Sequence, residues 1–190
     1  MDAQVLDWLY GVLVSPTETF DEVASKKPTK AALLLILATS VLGTFAQPEQ
    51  VIISNILPFQ IPRGWIIIAD SMVSALSTLV VIGAVFCISK MFQPTGDFPG
   101  ILAAIGFAQF PAFLSLPANL LVYLPGPAGS ILGGTASLGV GIWTIVLSVI
   151  AIRESRGLTT VRSIISYLIA VFTLLFIALL FLLVIAYAML

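Results

Sequence analysis

Residues 163–188 read SIISYLIAVFTLLFIALLFLLVIAYA, an unbroken apolar run without one charged side chain. A helix rises 1.5 Å per residue, so about 20 such residues cross the roughly 30 Å hydrocarbon core of a bilayer. In lipid every backbone polar group must be satisfied within the segment, so this run is predicted to be a transmembrane helix. The pattern recurs upstream at 31–46, 65–91, 101–123 and 131–152, between the breakers QPEQVIISNILPFQIPRG, FQPTGDFPG, LPGPAGS and RESRGLTTVR. With 59% hydrophobic and 9% charged residues over 190 positions, no length remains for a sizeable soluble domain. The expected fold class is all-α: a polytopic integral membrane helical bundle of five transmembrane helices over 31–190. Short amphipathic helices over 1–30 precede it.

The cations supply the orientation, because Lys and Arg accumulate in cytoplasmic loops. Five spans with the N-terminus inside place Lys26, Lys27, Lys30, Lys90, Arg153, Arg156 and Arg162 on the inner side and Arg63 alone outside. A four-span count breaks that bias. The N-terminus is therefore expected in the cytoplasm and the C-terminus outside. Asp2 and Asp7 stand where a cleaved signal peptide would carry basic residues, so no such peptide is expected.

Ahead of the first span, VLVSPTETFDEVASKKP starts a helix at Ser15 and Pro16. Ser15 and Glu18 have the S-x-x-E spacing of a capping box, with Pro at the first helical position. Glu18, Asp21 and Glu22 in its early turns and Lys26 and Lys27 at its end match the helix dipole. Phe20 and Val23 mark its apolar face, and Val5, Leu6, Trp8, Leu9, Val12 and Leu13 mark that of a preceding helix. A helix bound only to anionic lipid would carry a basic polar face. The acidic face found here predicts docking onto the bundle itself or onto a cytoplasmic protein partner.

Within the spans, Asp70 is an ionisable group in an apolar run and hence a candidate polar site, with Ser74 and Ser77 continuing down the helix. Pro111 and Pro117 predict two kinks in the third span, where Gln109 and Asn119 could serve the carbonyls that the prolines free. Gly129, Gly133, Ser137 and Gly141 recur every four residues and predict a helix-packing seam, used within the chain or between copies in a homo- or hetero-oligomer. The chain has no His, a single Cys at Cys87, no Gly-rich phosphate loop and no G-x-S-x-G. No enzyme, cofactor or metal site is expected, and eight scattered cations against a net charge of −1 give no nucleic-acid surface. The partner certain from composition is the lipid bilayer.

Trp8 to Phe20 has the form W-x-x-x-V-L-x-S-P-x-x-x-F, and Gly106, Phe107 and Pro111 lie in GDFPGILAAIGFAQFPAFL ahead of the third-span break. On these residues and the five-span layout, the chain resembles the Yip-domain family, and most closely its minimal prokaryotic members. Eukaryotic members bind Ypt/Rab GTPases and act between endoplasmic reticulum and Golgi, but they carry a long cytosolic tail and an Asp-Leu-Tyr-Gly-Pro motif absent here. The resemblance implies a non-enzymatic scaffold or adaptor in membrane organisation or trafficking. It implies the plasma membrane for a prokaryotic source, and endoplasmic reticulum or Golgi for a eukaryotic one. The residues alone leave a second reading: a small transporter, channel or lipid-handling protein using Asp70 and the broken third helix.

Overall fold

The computed structural model describes residues 3–46, 62–124 and 127–188. Among them there are helices and turns and no strand. In chain order these are α1 (Ala3–Val14), α2 (Pro16–Lys26), α3 (Thr29–Ala46), α4 (Arg63–Ser89), α5 (Phe98–Ala108), α6 (Ser115–Leu120), α7 (Pro127–Arg156) and α8 (Thr160–Ala188). Tight 3-10 turns follow α4 at Lys90–Phe92 and flank α6 at Phe110–Leu114 and Leu121–Tyr123. The loop foreseen between the first two spans falls at 47–61, outside the described residues.

Four helical runs are long and apolar enough to cross a membrane: Gly64–Phe92, Phe98–Tyr123, Pro127–Arg156 and Thr160–Val184. The protein is thus an integral membrane helical bundle. The first predicted span, α3, has 18 residues and a length of about 27 Å, slightly short of the hydrocarbon core.

The Phe98–Tyr123 run is the centre of the bundle. Of its apolar window 56% is buried, against 22% or less in the other three. Every residue of α5 from Gly100 to Ala108 is buried, because small Gly and Ala positions let several helices approach it at once. A Cβ built at Gly106 would lie 2.6 Å from Ala32 Cβ, so α3 crosses α5 at that glycine. Around this core α3 packs on α4, α4 on α8, and α7 on both α5 and α8. Large side chains of α8 such as Phe172, Leu175, Phe176 and Phe181 face outward, away from the bundle.

The third run breaks where the prolines stand. Pro111 falls in the 3-10 turn at Phe110–Leu114 and Pro117 in the first turn of α6, where a missing N–H is tolerated. Ser115 Oγ donates to the Ala112 carbonyl at 2.5 Å.

Candidate functional site

One end of the bundle is built on α1 and α2, which fold into a hairpin against α5 and α7. Ser15 ends α1 by donating its N–H to Gly11 O at 2.8 Å. It also stands at the N-cap of α2, with Pro16 following. The capping box expected of Ser15 and Glu18 does not form: the Ser15 side chain makes no cap bond at φ −137°, ψ 66°. That backbone is not the extended one that aims an N-cap hydroxyl at the first turn. Thr19 Oγ1 instead donates back to the Ser15 carbonyl at 2.9 Å. Phe20 and Val23 are fully buried, and Trp8 meets Phe107 edge to face at 5.8 Å between centroids. Trp8, Leu9, Val12, Phe20 and Val23 of the hairpin's apolar faces are therefore used on the protein's own core, whereas Leu6 and Leu13 of the predicted α1 face stay exposed, as do Asp7, Glu18, Asp21 and Glu22.

Polar latches fasten the hairpin at both ends of α2. At its start, Arg153 Nη2 donates to Thr17 Oγ1 at 3.0 Å while also pairing with Glu154 at 2.5 Å, and Arg153 Nη1 donates to Thr160 Oγ1 at 3.4 Å. At its end Lys27, in the left-handed conformation that closes many helices, pairs with Asp97 at 2.6 Å. Asp97 caps α5 by accepting from the Gly100 N–H at 3.1 Å. The Lys27 ammonium, and to a smaller degree that N–H, hold the Asp97 carboxyl below the usual carboxylate range. Lys26 pairs with Glu22 at 2.6 Å, and Lys30 is exposed at the start of α3.

Arg156 is the keystone of this end and is 1% exposed. Its guanidinium donates to Ser89 Oγ at 3.0 Å and to the Gly96 carbonyl, and lies 4.4 Å from the Phe86 ring centroid. The sequence assigned it only an orienting charge. Thr95 N–H in turn donates to the Arg156 carbonyl at 3.2 Å. A Cβ at Gly96 would fall on the Ser155 carbonyl oxygen, and Gly157 takes φ +62° against Thr95. QPTGDFPG, expected as a breaker between two spans, thus joins the ends of α4 and α7 to the start of α5. Arg162 lies 6.0 Å from the Phe92 ring, and Lys90 4.8 Å from that of Phe86. Contacts among these cations and their neighbours gather the α2–α3 junction, the α4–α5 loop and the α7–α8 turn at one end.

The membrane polar residues are not gathered into one site. Asp70 Oδ2 accepts from Thr44 Oγ1 at 2.7 Å, and Thr44 lies 3.2 Å from Ser71 Oγ, so this cluster joins α3 to α4. Thr44 and Ser71 are buried. Ser74 is exposed, and Ser77 lines a cleft between α4 and α8 whose other walls are apolar. Gln109 ends α5, and Asn119 Oδ1 accepts from Ser137 Oγ at 3.3 Å, which joins α6 to α7. The glycine seam divides likewise. Gly129 and Gly133 press on the segment from Ala118 to Leu124, whereas a Cβ at Gly134 or Gly141 would meet nothing within 4 Å. No group of three or more His, Cys, Asp or Glu among the described residues could hold a metal ion.

A family model described as the Yip1 domain matches residues 10–183. Comparison with curated proteins and with solved structures returns no match.

Proposed function

Because the chain belongs to the Yip1-domain family of integral membrane proteins, we propose that it is a non-enzymatic scaffold or adaptor that presents the α1–α2 hairpin to a cytoplasmic protein partner. The observation that carries this reading is the hairpin's division of labour. Trp8, Leu9, Val12, Phe20 and Val23 are buried in the bundle, so the hairpin's exposed acids stand at fixed positions on an end rich in cations. A docked surface offers a partner a preorganised face, which lowers the ordering cost of binding. Association with other membrane helices, of a second copy or of another protein, belongs to the same reading and falls to the open side of α7 at Gly134 and Gly141.

In this proposal α3 is a fifth crossing. Its start adjoins the hairpin and its far end meets Asp70 near the opposite end of α4, so α3 and α4 form an antiparallel pair between the two ends. The cation-rich end is then cytoplasmic. Use of Asp70 by a small transporter, channel or lipid-handling protein draws less support, since its carboxylate is engaged in the α3–α4 contact.

The test exchanges the exposed acids and leaves the buried face alone. In full-length protein cross-linked in its native membrane, Asp7→Lys, Glu18→Lys and Asp21→Lys together are expected to remove the captured cytoplasmic partner. The fold should be retained, as read by an unchanged melting temperature. An identical set of partners before and after the exchange would defeat the adaptor reading.

A further inference from the structure

We draw no further inference here: the strongest candidate, the apolar cleft of about 480 Å³ between α4 and α8 lined by Val73, Leu76, Ser77, Val80, Val171 and Leu174, is an unpartnered face of the bundle, and nothing in the structure shows what covers it.

Discussion

Gly96 and Gly134 look alike in the sequence and differ completely in their surroundings. A methyl group at Gly96 collides with backbone at Ser155, which cannot swing aside as a side chain would, whereas at Gly134 it enters open space. Gly96→Ala is expected to lower stability by about 3 kcal/mol, the upper part of the usual range for overpacking. Gly134→Ala should change it by less than about 1 kcal/mol. Thermal unfolding of the two variants side by side in detergent checks the contrast. Arg156 poses the same lesson with a charge. Its planar guanidinium bonds two acceptors while its face lies over Phe86, a combination the single ammonium of Lys cannot reproduce. Arg156→Lys is expected to cost about 2 kcal/mol in the same assay. A melt indistinguishable from wild type would remove Arg156 from its keystone role. Charge bias gave this arginine only an expected place among the cytoplasmic cations, and no local signal announced that it would be buried.

At the scale of elements, α2 is held by a buried face and two polar ends. The face dominates. Phe20→Ala removes a fully buried ring and is expected to cost about 3–5 kcal/mol. Thr17→Val removes one exposed hydrogen bond to Arg153 and should cost no more than about 1 kcal/mol. Limited proteolysis reads the difference, with the hairpin of the Phe20 variant cut first. The Lys27–Asp97 latch adds a pH dependence. The folded pKa of Asp97 is depressed, so its contribution is present above the unfolded carboxylate value of about 3.9 and is lost as pH falls through the folded value. Both side chains are nearly half exposed to solvent, which limits the contribution to about 1 kcal/mol or less. Asp97→Asn keeps a cap acceptor and loses only the charge. Its melting temperature is therefore expected to lie below wild type at pH 7 and to converge with it below pH 4. The boundaries of α2 were legible from Ser15, Pro16 and Lys27. The cap bond was not, because it depends on a backbone angle set by how α1 ends.

Across the whole molecule, the proposed topology makes the two ends of the described chain differ in accessibility. With Cys87→Ala as background, a single cysteine at Glu18 should resist a membrane-impermeant thiol reagent applied to intact cells or sealed organelles with the natural outer face exposed. One at Tyr187 should react. Labelling of both, or of neither, would contradict an odd number of crossings. Asp70 belongs at this scale too, because its role is to join α3 to α4. Asp70→Asn retains an oxygen acceptor for Thr44, so the variant should keep its melting temperature within about 1 kcal/mol-equivalent of wild type. Reconstituted wild-type protein that moved protons, ions or lipid, with Asp70→Asn abolishing the flux, would overturn the scaffold proposal in favour of transport.

What the sequence determined by itself was the solvent and the secondary structure. Apolar runs of membrane length can only be helices in lipid, and the breakers between them, Pro94, Gly96 and Pro99 among them, left little choice of where those helices end. The S-P-x-x-x-F and Gly-Phe motifs carried the family in the same local way. The tertiary structure decided which of several similar residues matter. It placed α5 at the centre, used Gly129 and Gly133 inside the chain while leaving Gly141 open, and made Arg156 a buried clasp and Asp70 a helix contact. The reason is physical: periodicity fixes the face of a helix on which a residue lies, whereas burial and partnership depend on which other helix arrives at that face. In a membrane, apolar surface turned toward lipid and apolar surface turned toward protein are written in the same residues.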